Sequence, residues 1–311
     1  MKLLPLLLIF LFMNACSNHK AQNQQSEIQN KIQSSETSYL SYADVISQSD
    51  QDEWRNLDLE NSLYIELETG TVIVELETTH APNHVKNTKA LAREGLFDNT
   101  QFYRVIDGFV AQGGPESIED NYKPAHGTLT IDSEFSKQFN QPLDIYELES
   151  NDGYAEKVGF YKGFAIGQSK DQKESWLLHC YGALGMGRAD ETDSGGTELY
   201  VVIGHAQRYL DKNVTVFGRV IYGMEHMQSL KRSTSLAGPV DLKNHNKIMS
   251  IQVASDLKPG DLIPLEILKT HSQSFDKYIQ ARKNRKEPWF VDSKNYNDVC
   301  SIQVPVRIKT Q

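Results

Sequence analysis

The sequence predicts a mainly β domain with two flanking helices, on three observations. From Ser62 to Leu76 the apolar residues Leu63, Ile65, Leu67, Val72, Val74 and Leu76 recur at every second position on either side of Thr69-Gly70, the period of strands with one buried face. Two further runs, 198–203 and 214–221, are rich in β-branched and aromatic residues, which suit a pleated surface. Helical spacing is confined within this region to 82–93 and 224–232.

Each element has a local reason. Thr69-Gly70 supplies the tight turn of a hairpin. Pro82 can open a helix whose apolar positions include Val85, Ala90 and Leu91, and Gly95 can end it. Phe102 to Gln112 reads as a strand interrupted by the turn signal Asp107-Gly108. On alternation, Phe102, Arg104 and Ile106 share one face. That is an odd place for a guanidinium unless the face lines a groove; the plainer reading is an edge arginine lying over apolar surface. Residues 115–173 read as irregular and polar. Glu198 to Ile203 is a strand ending at Gly204, and its period of two puts Glu198 and Tyr200 on one face. Beyond Ser233 the chain continues with the extended run Met249 to Val253, a helix around Phe275 to Lys286 and an extended Val304-Pro305-Val306. This portion is too short to bury a robust core alone, so it is expected to pack on the domain before it.

The chain has 311 residues, 39% of them apolar, and a net charge of −9. That is enough for one sizeable domain with appendages, and the acidic balance argues against nucleic acid as a partner. The first residues carry Lys2, an apolar run from Leu3 to Met13, and Asn14-Ala15-Cys16. The run is shorter than the roughly 20 residues of a membrane span and reads as a secretory signal, 1–15. A cysteine after a small residue at its end looks like a bacterial lipobox, so Cys16 is expected to be lipidated; the competing reading is plain secretion. Lipidation anchors the protein to a membrane without spanning it. Ser17 after the cysteine, by analogy with enterobacterial lipoproteins, points to the outer membrane of a Gram-negative cell, facing the periplasm. Residues 16–38 then form the lipidated cysteine and a polar tether with little apolar surface to bury. The expected organisation is completed by a domain over 39–232, with an N-terminal arm and the insertion 115–173, and an extension over 233–311. In an oxidising compartment Cys180 and Cys300 either pair or remain two buried thiols.

The segment Phe102-Tyr103-Arg104-Val105-Ile106-Asp107-Gly108-Phe109-Val110-Ala111-Gln112-Gly113-Gly114 closely resembles the signature of the cyclophilin family of peptidyl-prolyl isomerases. Gly182 to Ala189 with Ser194 to Val201 resembles the family's groove-closing segment, and Leu210 to Met224 its strand and turn before the second helix. The three stand in family order across about Leu63 to Leu230. The resemblance implies a closed eight-stranded antiparallel β-barrel capped by two α-helices, here with a C-terminal extension. Closure would also remove exposed sheet edges.

The resemblance also implies a chemistry. An X-Pro amide resists twisting by about 18 to 20 kcal/mol because twisting destroys its resonance. A catalyst needs no nucleophile, metal or cofactor, only a site that binds the twisted amide better than either planar form. An arginine suits this, being permanently charged with a rigid fork of donors. By resemblance Arg104 takes that role, Phe109 floors the proline pocket and Gln112 bonds the substrate backbone. Val110, Gly187, Arg188, Glu198, Tyr200, Tyr209 and Leu210 fall at substrate-binding positions. Val110 stands where the family commonly has methionine and Tyr200 where it has phenylalanine; Glu198 replaces a glutamine, Arg188 an asparagine, Tyr209 a tryptophan and Val214 a histidine of well-studied eukaryotic members, bacterial members varying at several of these positions. The introduced Glu198 could pair with Arg104 or Arg188. The histidines lack metal-ligand spacing, and Ser194-Gly195-Gly196 lacks the setting of a hydrolase nucleophile. The expected activity is isomerisation of X-Pro bonds in unfolded or exported polypeptides. The rival, of another class, is a non-catalytic peptide-binding or chaperone module on the same fold. Oligomeric state is left open.

Overall fold

The strands that alternate in sequence pair into one antiparallel sheet. The computed structural model describes residues 40–115, 118, 122–234 and 246–309. The expected secretory signal, the expected lipidation site Cys16 and the expected tether lie outside the described residues. The sheet comprises β2 (Ser62–Leu67), β3 (Gly70–Leu76), β4 (Gln101–Val105), β5 (Val110–Gly114), β11 (Ala183–Met186), β12 (Leu199–Val202), β13 (Val216–Tyr222) and β14 (Ile248–Val253). Their order is β14-β2-β3-β13-β11-β12-β5-β4. The two outer strands meet through an antiparallel bridge between Gln101 and Lys247, with Ile248 N–H donating to the Thr100 carbonyl at 2.9 Å. The result is an eight-stranded, nearly closed antiparallel barrel.

Leu63, Ile65, Leu67, Val72, Val74 and Leu76 all point into its core, as their alternation predicts. A fully buried side chain of this size contributes about 1.5 to 3 kcal/mol. Helix α2 (Pro82–Arg93) adds Val85, Leu91 and Ala92 to that core, and α3 (Met224–Gln228) adds Met227. Gly95 follows α2 with φ +73°, the left-handed geometry that glycine tolerates after a helix. The second helix is shorter than its spacing suggests, ending at Gln228 rather than Arg232.

Two expectations need correction. The boundary at 232 falls too early, because β14 pairs with β2 from Ile248↔Leu67 to Val253↔Leu63 and is a barrel strand. The insertion is not irregular. With β10 (Glu174–Leu177), its strands β6 (Lys137–Gln138), β7 (Tyr146–Glu147), β8 (Lys157–Tyr161) and β9 (Phe164–Gln168) form a five-stranded sheet.

The N-terminal arm contributes α1 (Tyr42–Ser47) and β1 (Trp54–Asn56), and β1 pairs with β15 (Leu265–Leu268), which pairs in turn with β16 (Val306–Ile308). Helix α4 (Gln273–Lys283) packs Phe275, Tyr278 and Ile279 into a second core. That core also takes Val158, Phe160 and Trp176 from the insertion sheet, Leu148 from just past β7, and Tyr64 and Ile73 from the outer face of the barrel. Tyr64 is therefore buried on the face that alternation leaves to solvent. Its hydroxyl accepts a bond from Ile263 N–H at 2.9 Å. Cys180, between β10 and β11, is joined to Cys300 of the extension, their Cα atoms 4.9 Å apart.

Candidate active site

The site is built on the outer face of β4, β5 and β12. A register shift between Gln101 and Arg104 breaks the alternation of β4. Phe102 and Val105 both enter the barrel core, so Phe102, Arg104 and Ile106 do not share a face as alternation predicts. Instead Tyr103 and Arg104 both reach β5's outward Gln112, the usual consequence of an extra residue in one strand of a pair. Arg104 Nη1 donates to Gln112 Oε1 at 3.2 Å, Gln112 Nε2 donates to the Tyr103 hydroxyl at 3.1 Å, and that hydroxyl donates to the Glu198 carboxylate. Phe109, just past the turn at Gly108 (φ +69°), brings its ring centroid 5.7 Å from the Arg104 guanidinium carbon.

The register Tyr200↔Gln112 and Val202↔Val110 puts these four side chains on the same outer face. They are not equally open. Gln112 is partly exposed, whereas Val110 and Tyr200 are buried with Phe164, Ile166, Leu177 and Val216 in a small outer core against which Phe109 packs. Gly187 lies beside this face: a methyl on its α-carbon would stand 3.0 Å from Glu198 Cβ and 3.1 Å from Gln112 Nε2. Gly185 lies closer still, and a methyl there would sit 2.2 Å from the Tyr200 hydroxyl.

Glu198 pairs with neither arginine. Arg188 turns away, donating to the carbonyls of Asn213, Ala189 and Asp190 and lying 5.5 Å over the Phe135 ring. Arg104 makes no ion pair with any described carboxylate. Glu198 is instead held by the Tyr103 hydroxyl and the Gln112 amide, and burial pushes its carboxyl above the ordinary range despite those bonds. Burial and the adjacent carboxylate likewise raise the Tyr103 phenol. Tyr209 is exposed and Leu210 partly so, on a short turn over Arg208–Leu210. That turn is tied at Gln207, whose N–H donates to the His179 carbonyl and whose side chain donates to the Gly108 carbonyl. Val214 packs at the edge of the outer core. Among the described residues no group of three or more His, Cys, Asp and Glu side chains could hold a metal ion.

The sequence model of the family described as cyclophilin type peptidyl-prolyl cis-trans isomerase/CLD matches residues 62–253. The chain belongs to the cyclophilin family. It is 25% identical over 201 residues to a probable peptidyl-prolyl cis-trans isomerase of Brucella suis, covering 65% of this chain and 86% of that one. It is 29% identical over 182 residues to peptidyl-prolyl cis-trans isomerase-like 1 of Mus musculus, covering 58% and 86%. Among solved structures it resembles the cyclophilin AquaCyp293 from Hirschia baltica, with a TM-score of 0.68 at 28% identity over 86% of this chain and 97% of the other. The matched region ends at Val253, where β14 ends.

Behind the outer face of β4, β5 and β12 this cyclophilin carries a network that reading the sequence missed. The Tyr200 hydroxyl meets His179 Nε2 at 2.8 Å, and His179 Nδ1 meets Asp211 Oδ1 at 2.9 Å. Asp211 Oδ2 accepts from Arg208 Nε at 2.6 Å, and Arg208 donates from both terminal nitrogens to Asp152 at 2.8 and 2.9 Å. The chain of bonds joins the pocket side of the barrel, the 207–211 turn and the insertion. One signal for it was present: tyrosine at a position where the family has phenylalanine brings a hydroxyl that must find a partner once buried. Tyr103 gave no such signal, because strict alternation assigns it to the face opposite Arg104.

Proposed function

We propose that this cyclophilin accelerates cis/trans exchange of X-Pro bonds in exported, incompletely folded polypeptides. The observation that carries the reading is the Arg104 guanidinium, steadied by Gln112 beside the Phe109 ring and engaged by no carboxylate among the described residues. As the amide twists, its resonance is lost and the lone pair localises on the prolyl nitrogen. A positioned guanidinium can donate to that nitrogen and favour the twisted state over either planar isomer. Phe109 offers an apolar ring for proline, and Gln112, whose amide bonds Tyr103 in the free protein, exchanges that bond for one to the substrate backbone. Proton transfer, nucleophilic attack and a cofactor are all unnecessary for this step.

The setting is the cell envelope, with the domain held on a polar tether by lipid on Cys16 at the periplasmic side of the outer membrane. Two features support it: the signal and lipobox-like run of residues 3–16, and the Cys180–Cys300 bond, since disulfides form and persist in oxidising compartments. Replacing Cys16 by serine in the producing bacterium is expected to move the protein from the membrane to the soluble fraction and to abolish incorporation of labelled palmitate. Unchanged membrane partition in that variant would remove the anchor from the reading.

The activity is tested by following cis-to-trans relaxation of a library of X-Pro tetrapeptides with the purified chain. Faster relaxation than the spontaneous tens of seconds is expected for several members. A folded protein that accelerates none of them sinks the enzyme and leaves the non-catalytic peptide-binding module.

A further inference from the structure

We propose that Glu198 makes this groove select substrates with a positively charged side chain close to the isomerising proline. The inference rests on the prolyl-isomerase reading and deepens it.

By the resemblance, Glu198 stands where well-studied eukaryotic cyclophilins carry a neutral glutamine, and the structure shows what surrounds the carboxylate. Its carboxylate is partly buried on the outer face that carries Gln112, and both of its side-chain partners, Tyr103 and Gln112, are neutral donors. No described lysine or arginine forms an ion pair with it. The two arginines close in sequence pattern are turned elsewhere, Arg104 to Gln112 and Phe109, Arg188 to three carbonyls and the Phe135 ring. A partly desolvated charge without a counter-ion is poorly stabilised, and burial accordingly raises the Glu198 carboxyl. An ammonium or guanidinium brought by the substrate would supply the missing partner and the charge-assisted bond.

The site has a built-in polarity. Gly187, whose N–H donates to the Glu198 carbonyl at 2.6 Å, packs against Glu198 Cβ and leaves the carboxylate end of that side chain to the outer face. Gln112 separates the charged groups, its carbonyl oxygen facing Arg104 and its amide facing Tyr103 and Glu198. A proline seated at the Arg104 end therefore leaves a neighbouring residue at the Glu198 end, away from the arginine's repulsion.

The experiment measures kcat/KM for three matched peptide series carrying lysine, alanine or glutamate at each position flanking the proline. The wild type is expected to favour lysine over glutamate by about tenfold at one position, as complementary charges do across a partly buried contact. High salt should shrink that ratio. In Glu198→Gln the ratio should fall towards one, and in Glu198→Lys it should invert. Acceleration of all three series to the same extent by the wild type overturns the charge selection alone, and needs no variant to fold. A ratio in Glu198→Gln equal to that of the wild type does the same. Failure to accelerate any peptide, the alanine series included, overturns the isomerase reading and this inference with it.

Discussion

Arg104→Ala is expected to lower kcat/KM for every X-Pro peptide by about 100- to 1000-fold, the usual cost of deleting one donor that acts on charge developing in a transition state. The loss should appear mainly in kcat, because the guanidinium contributes most when the amide is twisted and its nitrogen lone pair is exposed. Stability should hardly change. Arg104 is partly exposed and makes no ion pair with a described carboxylate, so its removal frees Gln112 Oε1 to meet water and leaves the barrel core untouched. Surface changes of this kind usually stay within about 0.5 kcal/mol. Arg104→Lys separates charge from geometry: lysine keeps the charge but not the rigid fork, so most of the loss should persist. Parallel measurement of relaxation rates and urea unfolding decides the matter. Activity surviving in a folded Arg104→Ala protein would move the catalytic centre elsewhere in the groove.

Removing the Cys180–Cys300 bond, by replacing both cysteines with alanine, should destabilise the protein by up to about 5 kcal/mol on the chain-entropy account of a crosslink that encloses so long a loop. The two cysteines are 120 residues apart in sequence, and the bond ties the end of the extension to the segment that leads from β10 into the barrel. Cys180 also adjoins His179, whose ring holds the buried Tyr200 hydroxyl. Loss of the tie should therefore loosen α4 and the 299–304 segment first, then the wall behind the groove. Denaturant unfolding gives the free energy, and amide exchange in α4 gives the order of loosening. An unchanged midpoint would mean that the second core, with Phe275, Tyr278 and Ile279 set against Tyr64 and Ile73, fixes the extension unaided.

How far the sequence revealed these features depended on whether the physics was local. The β2–β3 hairpin and α2 were legible because one period runs unbroken through each, closed by Gly70 in the first case and Gly95 in the second. The face assignment in β4 failed because a single inserted residue reverses parity and leaves no mark in composition. The insertion sheet was invisible for another reason: β6 and β7 are two residues long and polar, and their pairing is set by β10 and β8. Strand β14 was assigned to the extension because its partner β2 lies about 180 residues upstream, beyond any local pattern. At the site, Arg104, Phe109 and Gln112 were found by motif, and the structure sets them side by side. The Tyr103–Glu198 contact and the His179–Asp211–Arg208–Asp152 chain arise only where separate strands and turns converge.

The position of β14 in the sheet dictates when a nascent copy can become a barrel. Strand β2 emerges early from the ribosome, yet its second neighbour is supplied only when residue 253 has followed. Until then β2 and β4 present bare edges, the surface on which other strands can add. A copy interrupted between Tyr222 and Ile248 would hold the whole Arg104 groove on an unclosed sheet, so completion of the chain, more than formation of the site, governs when this molecule is safe to release among other unfolded polypeptides.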